Sequence, residues 1–390
     1  MNNKVSIVGA GHTKFGYLDS LNLEELIVWA GRDALRDAGI TGKEIDAVFL
    51  GHFNAGMVTD GFASSLIHQI DDELRFKPAM RCENACASGS AAISAAINTI
   101  LAGQAETVLV VGVEKMTSNS TADVTKALTQ ASYQHDDFEK NLSFPQIFGL
   151  AATEYAKRYQ SPLDAMAKIS VKNHENALRN PLAQLQRPMT FEFCSTVSEK
   201  NPLIADPLRL TDCSLISDGA AAIVISRSDL AKDFKHRVDI ASFVAVSDFM
   251  PINRRDFIAF EGAEKSIQTA LKNANLTIKD INLAEVHDCF TMAELLIYEA
   301  MGLTEKGQGA KALEEGVVYR DGVLPINLSG GLKAKGHPVG ATGVSMHALT
   351  YRQLTGQAEE MQIDNANHGL IFNMGGSGVA NYTSILKAVR

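Results

Sequence analysis

The sequence predicts a layered α/β fold built twice along one chain. Two observations carry this expectation. Short apolar runs alternate with amphipathic segments through the N-terminal third, the pattern of helices packed on a sheet. The thirteen-residue segment Ala34–Asp46 also recurs without a gap at Ala270–Asn282, an offset of 236. Ala, Leu, Ala, Thr, Lys and Ile are identical at matching places, which points to duplication.

The elements follow in order. Val5–Val8 reads as a buried strand. Leu23, Leu26, Ile27, Ala30, Ala34 and Ala38 recur at helical spacing, with Asn22 and Glu25 as a capping box and Gly39 as the stop. Ala47–Leu50 is a short strand. Cys86 directly precedes an Ala-rich, helix-forming stretch reaching about Ala102, and Thr107–Val111 is a β-branched apolar run. From about Glu114 to Arg209 the alternation fails. Phe138, Phe144, Phe148, Pro145, Pro181 and Pro188 lie among many polar residues there, as expected for an insertion of loops and short helices forming a lid or substrate wall. Asp218–Ile225 returns as a buried strand closing the first half. The expected halves are residues 1–230 and 231–390. In the second, Thr291 and Glu294 read as a T-x-x-E capping box behind a buried strand. The Gly340–Gln353 segment echoes the Cys86 helix.

Composition narrows the function. With 390 residues the chain exceeds one average core. Its net charge of -9 argues against a nucleic-acid partner. The five cysteines (Cys82, Cys86, Cys194, Cys213 and Cys289) are few, odd in number and scattered, so a disulfide scaffold is not expected and a reducing, cytoplasmic setting is. No apolar run matches a membrane span or a secretory signal. Lys387-Ala388-Val389-Arg390 differs from the usual peroxisomal ending. Cys82 and Cys86 lack the second pair of a structural zinc site. Gly9-Ala10-Gly11 begins a dinucleotide-binding pattern that Lys14 breaks. His12, His52, His68 and His135 are read as structural or solvated.

Three segments carry chemistry. Cys86, between small residues at a helix start, is placed where the helix dipole favours the thiolate. His287 and Cys289 lie where a strand's carboxyl end meets a helix start, a common ligand position in open α/β sheets. His337 sits before Pro338, on a loop that starts at Asn327 and whose glycines allow close approach of a ligand.

Together with Phe372–Gly378, these segments resemble the thiolase superfamily. The His287-Asp288-Cys289-Phe290 tetrapeptide and His337-Pro338 are similar to the subgroup of sterol-carrier-protein-2 thiolases and acetyl-CoA acetyltransferases. The resemblance implies a thiolase fold, with a duplicated α-β-α-β-α core, two five-stranded mixed sheets and a loop domain. It implies an acyltransferase that makes or breaks a 3-ketoacyl-CoA, acetoacetyl-CoA above all, through an acyl-cysteine. No permanently bound cofactor or metal is implied, and coenzyme A is a substrate. Cys86 would carry the acyl group, His337 would take its proton and Cys289 would be the acid/base. His287 and His337 would hold the enolate, and the backbone N–H groups of Cys86 and Gly375 the tetrahedral oxyanion. Ser329, Gly330 and Lys333, and less directly Lys335, are candidates for binding coenzyme A.

Many thiolases carry a cysteine where this chain has Asn373, which shifts the acid/base role to Cys289. A homodimer or homotetramer is expected. Some relatives work with a small zinc-ribbon/OB-fold partner, as retro-aldolases on steroid side chains or acyltransferases to aromatic acceptors. A non-enzymatic acyl-CoA-binding scaffold would require a lost catalytic residue.

Overall fold

The computed structural model describes residues 5–389, so Arg390 of the C-terminal tetrapeptide lies outside them. The first half runs β1 (Val5–His12), α1 (Leu23–Ala38), β2 (Ala47–Gly51), β3 (Ala79–Cys82), α2 (Ser88–Leu101) and β4 (Thr107–Glu114). Helices α3 (Thr121–Thr129), α4 (Phe144–Arg158), α5 (Leu163–Ala177) and α6 (Phe191–Ser195) follow, with a small hairpin of β5 (Leu203–Ala205) and β6 (Leu208–Arg209). Strand β7 (Gly219–Arg227) returns to the sheet. The second half comprises β8 (Val238–Ser247), α7 (Glu261–Ala274), β9 (Leu283–Val286), α8 (Thr291–Ala300), α9 (Ala310–Glu314), α10 (Gly331–Lys335), α11 (Thr342–Thr355), β10 (His368–Gly375) and β11 (Ala380–Ala388).

The strands form one nine-stranded mixed sheet ordered β3-β2-β4-β7-β1-β8-β11-β10-β9, where two five-stranded sheets were expected. Two local features explain the difference. Strands β1 and β8 pair across the seam at Ser6–Asp239 and Ile7–Val238. The fifth strand of the second half is reduced to one bridge, Ala284–Ile326, beside β9. With that bridge counted, Ile326-β9-β10-β11-β8 repeats the order β3-β2-β4-β7-β1.

The repeated segment folds the same way twice. The Asn22–Glu25 capping box opens α1, and Gly39 ends it at φ 72°. At the same place after α7, Asn275 takes the left-handed conformation at φ 55°. Capping boxes Thr41–Glu44 and Thr277–Asp280 then turn each copy into its strand. These polar side chains satisfy backbone groups locally, so the turn survives around different neighbours.

Layering follows from which faces are apolar. Helix α1 buries Leu26, Ile27, Ala30 and Ala34 on the outer face of the first half-sheet. Helix α7 buries Ala263, Ile267 and Ala270 on the second. Between the half-sheets, α2 and α11 share a core of Ala92, Ile93, Ala96, Val344 and Met346. Small residues permit their close crossing. A Cβ on Gly89 would sit 2.8 Å from the Gly340 carbonyl and 2.9 Å from the Val344 nitrogen. Gly89→Ala is therefore expected to cost about 1–3 kcal/mol, despite alanine's better helix propensity. Urea unfolding reads it as a lower midpoint, and an unchanged midpoint would mean the crossing is not tight.

The stretch from Glu114 to Arg209 is more helical than expected. Helices α4 and α5 each span 15 residues. Their apolar faces pack on α8 through Ile147, Phe148, Met166 and Ile169.

Candidate active site

Three loops meet at one place. Cys86 stands two residues before α2, whose N-cap is Ala87. His287 and Cys289 follow β9, and His337 follows α10. The Cys86 sulfur and one ring nitrogen from each of His287 and His337 lie within 4.8 Å of one another. The two imidazoles meet edge to face, with centroids 5.1 Å apart and planes at 85°.

Hydrogen bonds orient both rings. His337 Nδ1 is 2.7 Å from Thr342 Oγ1, whose own hydroxyl donates to the Pro338 carbonyl at 3.0 Å. The hydroxyl proton is thus committed, Nδ1–H donates to Thr342, and Nε2 is left with a lone pair. His287 Nδ1 lies 2.8 Å from Asn373 Nδ2. Neither Nε2 has a hydrogen-bond partner among the described residues. Both rings are buried. Burial pushes His337 down to about 3, helped by Lys335. It also pushes His287 well below its usual value, helped by His337. Both imidazoles are neutral at ordinary pH.

Cys86 departs from the dipole expectation. It is only half-buried, yet desolvation pushes its thiol up to about 12, with the Glu114 carboxylate next in effect. Its own N–H and that of Gly376 favour the thiolate but do not prevail. Glu114 is buried, accepting N–H groups of Phe53 and Asn54 at 3.0 Å and of Gly340 at 3.1 Å. The resting site is therefore a neutral thiol beside a neutral base. Alkylation of Cys86 by iodoacetamide is expected to rise about tenfold per pH unit from 7 to 10, because a thiolate fraction far below the pKa grows that fast. A plateau below pH 9 would contradict the raised pKa.

Cys289 is buried, and desolvation raises its thiol well above the usual value, with Cys86 as the next contributor. Its carbonyl accepts the Ser214 N–H at 2.9 Å. Gly375 is packed against the nucleophile loop, where a Cβ would strike the Asn84 carbonyl oxygen.

The loop 329–336, expected to meet coenzyme A, is buried. Ser329 donates its hydroxyl to Glu285 at 2.5 Å and its N–H at 3.0 Å. Gly330 has φ 97° and presses on Ala177. Lys333 is buried with Nζ 3.3 Å from His174 Nε2. Lys335 is buried too, 3.1 Å from Ser345 Oγ. The side chains of Ser329, Lys333 and Lys335 thus have partners inside the protein, on the loop that leads to His337. The Thr291–Glu294 capping box is also absent. Thr291 donates to Asp212 at 2.9 Å, and Glu294 is drawn inward to Lys172 at 2.8 Å and Tyr298 at 2.5 Å.

Sequence reasoning missed the brace behind the site. Asn173 on α5 donates to Asp288 and to Glu294, each at 2.7 Å. Asp288 accepts the Leu332 N–H at 2.6 Å, tying the His287 and His337 loops together. Burial raises Asp288 to about 7, reinforced by Glu294. The available signal was the polar stripe Asn173, Asn176 and Asn180 along α5 and its exit, all buried. A cleft of about 460 Å³ opens beside the site, lined by Arg81, Asn84, Gln130, Met250, Gly375 and Gly376 among others.

Residues 5–229 match the thiolase N-terminal domain, and residues 245–388 match the thiolase C-terminal domain-like family. The chain belongs to the thiolase family. It is an acyltransferase of thiolase type, and its mixed sheet with flanking helices is the thiolase fold. It is 38% identical to an acetyl-CoA acetyltransferase of Methanothermobacter thermautotrophicus, over 96% of this chain and 97% of that protein. It is 33% identical to human sterol carrier protein 2, over 97% of this chain and 71% of that protein. Among solved structures, the Ltp2-ChsH2(DUF35) aldolase superposes with a TM-score of 0.84 at 23% identity, covering 99% and 98% of the two chains. Among the described residues, no helix of this thiolase is long and apolar enough to cross a membrane.

Proposed function

We propose that this thiolase cleaves and forms acetoacetyl-CoA through an acyl group carried on Cys86. The observation that carries the reading is the convergence of the Cys86 sulfur with two buried, neutral imidazoles whose Nε2 atoms have no hydrogen-bond partner among the described residues.

In thiolysis, Cys86 attacks the 3-keto carbon while its proton passes to His337 Nε2. Backbone N–H groups of Cys86 and Gly375 receive the oxyanion, with Gly376 N–H beside the sulfur. The carbon–carbon bond breaks, and the acetyl-CoA enolate oxygen is held by His287 Nε2–H and the His337 imidazolium. The Cys289 thiol protonates the enolate carbon. Incoming coenzyme A gives its proton to the Cys289 thiolate and attacks the thioester. Cys86 leaves and recovers its proton from His337, so every proton is returned. Synthesis runs the same steps in reverse. Raised thiol pKa values suit this scheme, because each cysteine must hold a proton until substrate arrives.

Supporting the substrate assignment is the near full-length likeness to the archaeal acetyl-CoA acetyltransferase. Purified protein with acetoacetyl-CoA and coenzyme A is expected to yield two acetyl-CoA, with acetyl-Cys86 trapped by mass spectrometry. No cleavage and no acyl-enzyme would reject the reading.

One observation favours a second reading. The likeness to a DUF35-associated aldolase makes a small zinc-ribbon/OB-fold partner, and an aromatic or steroid-type substrate, the alternative. Activity of the chain alone on acetoacetyl-CoA favours the first reading, and activity only with such a partner favours the second. We further propose two halves meeting at residues 230/231, a cytoplasmic location and a homodimer or homotetramer. Edge strand β3, with Met80 exposed, is available for subunit contact.

A further inference from the structure

We propose that Asn373 is a positioning residue that fixes the tautomer of His287, keeping the ring proton on Nε2 so that the ring donates to the enolate oxygen. The function of that donation rests on the thiolase reading above, whereas the tautomer itself does not.

The assignment comes from three contacts of one buried amide. Asn373 Nδ2 lies 3.3 Å from the Cys86 carbonyl oxygen and 2.8 Å from His287 Nδ1. Its Oδ1 accepts the Ser90 hydroxyl at 2.7 Å. A carbonyl oxygen only accepts, so the amide edge facing Cys86 must be the NH2 group. The reversed amide would set oxygen against oxygen. The same NH2 therefore donates to His287 Nδ1, which must carry a lone pair. A neutral imidazole has one ring proton, and it is left on Nε2. His337 is set the other way by Thr342, with a bare Nε2. One ring is then a donor and its neighbour a base, although both are buried histidines.

The direct test uses the intact protein labelled with 15N-histidine. Long-range 1H–15N correlation reports the tautomer, and the His287 signal is the one missing from His287→Gln. The expected result is Nε2–H at His287, and Nδ1–H would overturn the proposal whatever any variant does. Asn373→Asp keeps the shape but offers only acceptors, and is expected to move the proton to Nδ1. Thiolysis should then fall roughly 100-fold, the size of one lost oxyanion donor. Asn373→Ala, which imposes neither tautomer, should lose less than Asn373→Asp. A purely structural role predicts the opposite ranking, because Asp fills the site and Ala does not. A larger loss in Asn373→Ala would therefore overturn the positioning role. Labelled acetyl-CoA tests the thiolase reading separately. A wild-type protein with the Nε2–H tautomer but no acyl-Cys86 would sink that reading and leave the tautomer assignment standing.

Discussion

Cys86→Ala is expected to abolish acyl-enzyme formation and lower thiolysis by roughly 10,000-fold or more, the scale at which an activated nucleophile's loss is felt. Two facts set this size. The sulfur lies within 4.8 Å of one ring nitrogen of each imidazole, and no other cysteine shares that position among the described residues. Its thiol is pushed up to about 12, so almost none of its reactivity exists without His337 to take the proton. His337→Ala should consequently resemble Cys86→Ala in the acylation step, and the double variant should be little worse than either single one. Fold loss is not expected, because Cys86 is half-buried and alanine fits the same small-residue loop. Full turnover by Cys86→Ala, with native circular dichroism, would remove the acyl-cysteine mechanism.

How much was legible depended on whether a residue's partners are local. The capping box at Asn22–Glu25 was readable because donor and acceptor lie three residues apart, and the same spacing recurs in the structure at Thr41–Glu44. The Thr291–Glu294 pattern has the same spelling, yet Lys172 and Tyr298 compete successfully for Glu294 from outside the helix start. A buried cation offers a carboxylate more than one backbone N–H does. The β1–β8 seam was unreadable because two residue pairs at facing sheet edges leave no periodic trace. Ser329, Gly330 and Lys333 show a related limit. A glycine- and lysine-bearing loop reads alike whether it faces a ligand or props a neighbouring loop from within. Asn373 stood out as a missing thiol, but its partner His287 is 86 residues away in sequence, so only the fold joins them.

Cys289→Ala should separate the two halves of the chemistry. Acetyl transfer from acetyl-CoA to Cys86 needs the Cys86–His337 pair, so acyl-enzyme should still accumulate. Cleavage and formation of the carbon–carbon bond need a group to protonate or deprotonate the α-carbon, and should fall by roughly 100- to 10,000-fold. Exchange of acetyl-CoA α-protons with solvent deuterium should vanish with them. Few other groups could take over. Asp288 is adjacent in sequence, but its carboxylate is turned to the Leu332 N–H at 2.6 Å and to Asn173 at 2.7 Å. His287 Nδ1 is held by Asn373, and His337 is occupied by the proton of Cys86. Cys289→Ser offers the shape with a much weaker acid and should rescue little. If Cys289→Ala instead exchanged α-protons at the wild-type rate, the acid/base role would belong to another residue, and the His337 imidazole, already beside the reacting carbons, would be the first to examine.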